Sequence, residues 1–402
     1  MEFRSQNFIP ALLGSDINTY SVARAFHEAY GVKSAVLGKA SSGPSHFSKI
    51  ADFYMEPEID NEKLFLTIIN SFASKHPEKK IILLACGDSY VELIGKHKKG
   101  LRDNIIAPYI DEEMMAKLMK KETFYKLCDQ YNLPHPATLV HKKSDGLSFN
   151  LPFPFPVIVK PSNGVNYWKH HFDGQKKVYK LNDRSELEKV LTEIYLAGYD
   201  DSLIIQEFIP GDDSKMRVLT CYSDKNGKVR LSALGHVLLE EHTPKGLGNH
   251  AVIINENDSE LEEKIRRFLE DMHFVGFSNM DIKYDERDGK FKIFELNVRQ
   301  GRSNYYVTAG GHNIAEYVAG EYIFGKIPDF TDKAREKLWL VIPFRVAYKH
   351  VRDLALRQKM KELSAKGQII NPLFYKGDYS FRRTLYLVRS YLSHFWKYYK
   401  YF

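Results

Sequence analysis

Residues 280–304, MDIKYDERDGKFKIFELNVRQGRSN, restrict this chain more than any other segment. The Asp288-Gly289 pair is a strong turn dipeptide, and both flanks alternate apolar and polar residues, so the segment predicts a β-hairpin. Side chains two apart on a strand share a face, about 6.6 Å apart along it. Glu295 and Asn297 therefore point the same way, and a paired strand can bring Asp281 to them. Three hard oxygen ligands on one face suit Mg²⁺, which takes one or two carboxylates and fills its octahedron with water and phosphate oxygens. Arg299 and Arg302, directly beyond, supply fixed positive charge for a phosphoryl group or a carboxylate. The bland alternative is a surface hairpin with solvated charges, which suits any one of these residues better than the whole set.

With 402 residues the chain is too long for one ordinary core, and two or three subdomains are expected. No apolar run approaches the roughly 18 residues that cross a bilayer. The first residues, MEFRSQNFIPALLGSD, lack a basic n-region and a long h-region, so no signal peptide is expected. Cys86, Cys128 and Cys221 are odd in number and widely spaced, which predicts reduced thiols and a cytoplasmic protein. A net charge of +7 fits anionic substrates such as nucleotides and does not by itself indicate nucleic-acid binding.

The first hundred residues alternate strand and helix signals. Phe8 to Leu13 is an apolar run, Gly14-Ser15-Asp16 breaks it, and Ile17 to Tyr30 has helical periodicity closed by Gly31. Lys33 to Leu37 resumes a strand, and Ile81 to Ala85 followed by Gly87-Asp88-Ser89 repeats the plan. No GxGxxG occurs, and Gly246-Leu247-Gly248 follows no clean strand-to-helix turn. Residues 113–131 are expected to form one charged amphipathic helix ending at Asn132-Leu133-Pro134.

Four further features stand in the order that metal-bound nucleotide chemistry needs. Lys121 opens KETFYKLCDQYNLP, and Lys160 closes the buried strand from Pro156, where a strand-end lysine before a glycine-containing loop can clamp phosphate. The run Ile204 to Gly211, containing Gln206, Glu207, Phe208 and Ile209, offers backbone donors and acceptors for an adenine. Asp212 and Asp213 then suit ribose hydroxyls. Each feature alone is weak, since a strand-end lysine is usually a snorkelling edge residue.

Together with Phe-Glu295-Leu-Asn297-Val-Arg299, these residues resemble the ATP-grasp superfamily over roughly residues 115–305. The resemblance implies an α/β chain with α+β elements. Its expected parts are a Rossmann-like pre-ATP-grasp domain at 1–112, a small lid subdomain at 113–200, a core with the Mg-ATP site at 201–330, and a C-terminal extension at 331–402. It further implies ATP and Mg²⁺, two ions in number, as cofactors. Lys121 and Lys160 would then contact phosphates, Glu207 and Ile209 would read adenine with backbone atoms, and Asp213 (or Asp212) would hold ribose. Asp281, Glu295 and Asn297 would bind the metal, and Arg299 and Arg302 would face the transferred phosphoryl group and the acyl phosphate. The loop Ser162 to Gly174 looks like the lid; between Ser162 and Asp173 it carries only Gly164, where the family commonly has several glycines.

Within the superfamily, Ile9 to Glu28 and Gly301 to Tyr306 are most similar to D-aspartate ligases of bacterial cell-wall synthesis. That resemblance implies activation of the β-carboxylate of D-aspartate and its transfer to the lysine side-chain amine of a peptidoglycan precursor, with no nucleic-acid partner. Lys215 and Arg217, expected on the strand after Asp213, together with Arg345, Ser303 and Asn304, are the candidates for the amino-acid side of the site. For Lys215, Arg217 and Arg345 a plain surface salt bridge is the alternative. Other readings keep the fold but change the substrate to another amino acid, a dipeptide or a carboxylation, or make the chain a non-catalytic nucleotide-binding protein.

Residues 381–402 contain five Lys or Arg, nine aromatics and no acid. Leu385, Val388, Leu392, Phe395, Tyr399 and Phe402 fall on one helical face. Such a helix either docks on its own domain or lies on an anionic membrane surface, here the inner face. The oligomeric state is not legible.

Overall fold

A computed structural model describes residues 7–40, 43–244, 246–330 and 333–402. Residues 1–6, part of the segment in which no signal peptide is expected, and 331–332, where the C-terminal extension is expected to start, lie outside them. Contacts gather the chain into two units, one of residues 1–112, 212–279 and 297–402, the other of 113–211 and 280–296.

The first unit begins with a parallel sheet. Its strands β1 (Phe8–Leu13), β2 (Ser34–Gly38), β3 (Ala51–Met55), β4 (Lys80–Ala85) and β5 (Ile105–Ile106) run in the order β3-β2-β1-β4-β5. Helix α1 (Ile17–Tyr30) keeps its predicted limits because both ends are capped by chemistry. The Asp16 carboxylate accepts from the Thr19 N–H, and Gly31 adopts φ 67° while its N–H returns to the His27 carbonyl. Helices α2 (Glu62–Ser74) and α3 (Asp88–His97) complete this layer.

In the second unit the expected single helix over 113–131 is two, α4 (Glu112–Met119) and α5 (Lys121–Gln130). Lys120 takes an extended conformation between them, and the Lys121 N–H turns to the Ser162 carbonyl. No glycine or proline marks this break, so tertiary hydrogen bonding overrides a continuous helical pattern. A four-stranded antiparallel sheet follows: β6 (Thr138–His141), β7 (Val157–Pro161), β8 (Tyr179–Leu181) and β9 (Leu203–Glu207), ordered β6-β9-β7-β8. Between β7 and β8 the short α6 (Gly164–Tyr167) interrupts the expected lid loop, and α7 (Arg184–Leu196) packs Leu187, Leu191 and Ile194 with Val157, Val159 and Ile205.

Back in the first unit, β10 (Met216–Ser223), β11 (Val229–Glu240) and β12 (His250–Glu256) pair antiparallel, with α8 (Ser259–Asp271) beside them. Lys215, expected on a strand, ends a 3₁₀ turn one residue before β10. Gly246 and Gly248 lie in the connection from β11 to β12, with no helix after them. Strand β13 (Gly276–Asp285) adds beside β10 and continues past Met280 into the second unit, where it pairs with β14 (Lys290–Asn297). This is the predicted hairpin, and Gly289 supplies the positive φ, 68°, that its turn requires.

Helices α9 (Tyr305–Ala309) and α10 (Ile314–Ala319) follow, then β15 (Leu338–Leu340), which pairs with β12. Helices α11 (Phe344–His350) and α12 (Leu354–Ala365) precede the short β16 (Ile369–Ile370), parallel to β15, and α13 (Phe381–Tyr401) ends the chain. A core cluster containing Phe26, Leu84, Val218, Ile253, Tyr306 and Trp339 holds the first unit together. All three cysteines are free and buried.

Candidate active site

In the second unit, strand alternation sends Val157 and Val159 into the α7 core and Ile158 and Lys160 to the opposite face. Gln206 stands directly across from Ile158 and shares that face. Lys160 is buried, and its Nζ donates to the Tyr125 hydroxyl at 2.9 Å. That hydroxyl in turn donates to the Phe294 carbonyl, so α5, β7 and β14 meet at one hydrogen-bonded chain.

Lys121, the first residue of α5, sits 3.4 Å from a Glu295 carboxylate oxygen, and the Asp281 side chain hydrogen-bonds to Glu295. Burial pushes the Lys160 ammonium down to about 7, aided by the like charge of Lys121 and opposed by Glu295 and Asp281. Burial alone would raise Glu295; the charges of Lys121, Lys177 and Lys160 and the bond from Asp281 outweigh it and hold the carboxyl well below the usual range. Three lysines thus act on Glu295, which also bonds Asp281, and a lysine-rich site of this kind is suited to a polyphosphate. Lys177 was not anticipated, because the expected lid stopped at Gly174, three residues short of it. Tyr125 was missed too: nothing in its local sequence signals that it receives a buried lysine.

Among the described residues no three His, Cys, Asp or Glu side chains converge as a metal-binding group. The expected ligands Asp281, Glu295 and Asn297 are two carboxylates and an amide. A carboxylate pair close enough to share a hydrogen bond fits a hard divalent cation.

The adenine-side residues are tightly engaged. Gln206 donates to the Thr138 hydroxyl at 2.7 Å. The Glu207 N–H bonds the Ala137 carbonyl, while its carboxylate accepts from Ala137 N–H, Arg287 and Lys292. Phe208 lies under the Lys180 ammonium, 4.0 Å from ring centre to nitrogen, and the Ile209 carbonyl accepts from Lys283 at 3.1 Å.

In the first unit Asp213 accepts from the Glu240 N–H and from His242 at 2.8 Å, a bond that raises the His242 imidazole. Asn297 donates to the Asn279 carbonyl at 3.4 Å. Arg299 pairs with Asp88 at 2.6 Å, at the start of α3. Arg302 reaches Glu241 through one terminal nitrogen at 3.3 Å, while its other terminal nitrogen, Nη1, is buried without a partner.

Gly301 is required here, because a Cβ would lie 2.3 Å from Asn279 Oδ1. Gln300 donates to the Ala85 carbonyl, Asn18 to the Cys86 carbonyl, and Asn304 to Asn18 Oδ1 at 2.7 Å. Residues 300–304 therefore close over the carboxyl ends of β1 and β4. Between these strands the order β3-β2-β1-β4-β5 reverses, which is where open α/β sheets take ligands.

The remaining candidates are less open. Ser303 and Asn304 are both buried, Ser303 facing His250 at 3.3 Å. Arg217 is buried in a two-point pair with Glu256, Lys215 is half-buried, and Arg345 is exposed on α11.

Solved structures share this fold. The L-amino acid ligase of Bacillus licheniformis superposes with a TM-score of 0.57 and 16% identity, over 81% of this chain and 78% of that one. The N5-carboxyaminoimidazole synthetase of Staphylococcus aureus, solved with ADP, gives 0.60 and 14%, over 84% and 83%. The phosphoribosylamine–glycine ligase of Thermotoga maritima gives 0.55 and 16%, over 82% and 78%. The architecture is the ATP-grasp fold, as the sequence motifs imply. No protein-family profile matches the sequence. The D-aspartate ligase of Enterococcus faecium (strain Aus0004) is 39% identical over 412 aligned positions, spanning 98% of this chain and 97% of the relative. The chain belongs to the D-aspartate ligase family and is a carbon–nitrogen ligase.

Proposed function

We propose that the chain joins the β-carboxylate of D-aspartate to the lysine side-chain amine of a peptidoglycan precursor, driven by ATP through an acyl phosphate. The observation that carries this reading is the group of three lysines around the hydrogen-bonded pair Asp281 and Glu295. A carboxylate is a poor electrophile. Attack of its oxygen on the γ-phosphorus releases ADP and leaves an acyl phosphate; the amine nitrogen then attacks the carbonyl carbon, phosphate departs, and the nitrogen loses a proton.

Lys121, Lys160 and Lys177 hold the phosphates, and positioning of this kind is most of what phosphoryl transfer asks of a protein. Asp281, Glu295 and Asn297 would hold Mg²⁺, two ions in the pattern the family implies, which supplies charge neutralisation at the transferred group. Gln206 to Ile209 line the adenine, and Asp213 takes the ribose. Arg299, fixed by Asp88, faces the phosphoryl group, and the unpartnered Nη1 of Arg302 supplies a donor for an oxygen of the acyl phosphate. The amino acid sits beyond the carboxyl ends of β1 and β4, with Ser303 and Asn304 shaping the wall and Lys215 as outlying positive charge, while Arg217 is already paired with Glu256.

A coupled ADP-release assay across L- and D-amino acids, with and without an amine acceptor, tests the reading. ADP release that requires D-aspartate and rises with the acceptor is expected. Release that depends on bicarbonate, or on an L-amino acid alone, overturns it.

A further inference from the structure

The terminal helix α13 has two apolar stripes and uses only one of them to dock. Arg383, Leu387 and Tyr398 are buried. Arg383 pairs with Asp378 at 2.7 Å and lies over the Tyr20 ring, and the Tyr398 hydroxyl donates to the Glu240 carbonyl at 2.7 Å. Asp378 also accepts from Tyr20 and Ser48, so the helix is pinned along its inner side.

The face that the sequence picks out is a different one. At about 100° per residue, Phe381, Leu385, Leu392, Phe395, Trp396 and Tyr399 fall within an arc of about 100°. All six are exposed, Trp396 at 58% and Tyr399 at 85%. Arg382, Arg389 and Lys400, also exposed, form a row about 20° wide along one edge of that arc. Lys400 lies over the Trp396 and Tyr401 rings, 5.0 and 5.2 Å from their centres.

We propose that this outer face of α13 seats the enzyme on an anionic lipid bilayer, with the helix lying in the plane of the headgroups. Tryptophan and tyrosine favour that depth, and a basic row beside an apolar stripe meets anionic headgroups while the stripe enters the acyl boundary. Arg382, Arg389 and Lys400 line this face from the first turn of the helix to the last, and residues 381–402 carry no acid, so the charge of the face complements such a surface. A second copy of the chain is a poorer occupant, because its own α13 brings the same basic row and no carboxylate to pair with it. The helix is already folded and pinned, so seating needs no ordering step. Among the described residues no helix is long and apolar enough to cross a membrane, which makes the contact peripheral.

Co-sedimentation of the full chain with vesicles of phosphatidylglycerol, and separately of phosphatidylcholine, tests this. The chain is expected to pellet with phosphatidylglycerol, less so as salt rises, and to stay in solution with phosphatidylcholine. Trp396 emission should shift to the blue on binding, a shift lost in Trp396→Phe. Leu392→Glu with Trp396→Glu, and separately Arg382→Glu with Arg389→Glu, should each weaken partitioning by roughly tenfold or more with an unchanged melting temperature. No pelleting of the intact chain, or equal pelleting of folded variants, overturns the proposal. A dimer that the Leu392 and Trp396 pair dissolves, without vesicle binding, assigns the face to a second copy and overturns it equally.

Discussion

The Lys160 ammonium finds its acceptor in the Tyr125 hydroxyl, 2.9 Å away, rather than in a carboxylate. This neutral partner satisfies one of its donors, and the charge is met by Glu295 and Asp281 without a direct hydrogen bond to either. Burial, aided by the like charge of Lys121, pushes the amine down to about 7. Tyr125→Phe keeps the ring and removes the acceptor. A buried unsatisfied donor costs about 1–3 kcal/mol, so a lower melting temperature and a nucleotide Kd raised about tenfold are expected. Calorimetric titration with ATP analogues reads the second effect; unchanged Kd and melting temperature would remove Lys160 from the phosphate site.

Glu295 answers to three lysines at once. Removing it in Glu295→Ala leaves Lys121, Lys160 and Lys177 repelling one another and takes one carboxylate from the proposed Mg²⁺ ligands. ADP release should fall by about two to three orders of magnitude, with the circular dichroism spectrum preserved, because Glu295 is only half-buried. EDTA should abolish turnover of the intact enzyme in the same assay. Full ADP release from Glu295→Ala sinks the metal assignment.

What the sequence made legible divides along physical lines. Helix α1 and the β13–β14 hairpin are specified locally, by Asp16, Gly31 and Asp288-Gly289, and their limits follow from those residues. The break at Lys120 is specified by the Ser162 carbonyl, which takes the N–H of Lys121 from forty-one residues further along the chain, and leaves no local mark. The site divides in the same way. The meeting of Asp281 with Glu295 was legible because strand alternation fixes side-chain direction, whereas Lys177 and Tyr125 arrive through loop and helix placement that no short-range pattern encodes. The terminal helix was legible as an amphipathic face, but the face that docks is the one whose apolar residues, Leu387 and Tyr398, are fewest.

Arg302 differs from Arg299 in what its guanidinium has left over. One terminal nitrogen meets Glu241, and Nη1 is buried without an acceptor, a cost that an incoming oxygen would relieve. Arg302→Lys keeps a positive charge but loses the forked geometry. In steady-state kinetics kcat should drop about 10²-fold or more while the KM for ATP changes little, as for loss of a transition-state donor. A change confined to KM would place Arg302 in ground-state binding instead.

Asp285 links acid stability to the second unit. Its buried carboxylate takes two bonds from Arg287, at 2.9 and 2.6 Å, and one from Lys292 at 2.8 Å. The Arg287 bonds first, then Lys292, hold it well below the usual carboxylate range against the opposing effect of burial. A carboxyl lower in the folded than in the unfolded chain stabilises fully above the unfolded value, about 3.9, and loses that contribution as pH falls below it. The unfolding free energy should therefore decline steeply on the acid side of pH 4. Asp285→Asn should flatten that limb and cost about 2–4 kcal/mol at neutral pH, less than a fully buried pair because Arg287 is 44% exposed. Urea titrations of the variant and the parent from neutrality to pH 3 check both the slope and the offset; parallel curves would mean that another carboxylate governs the acid transition.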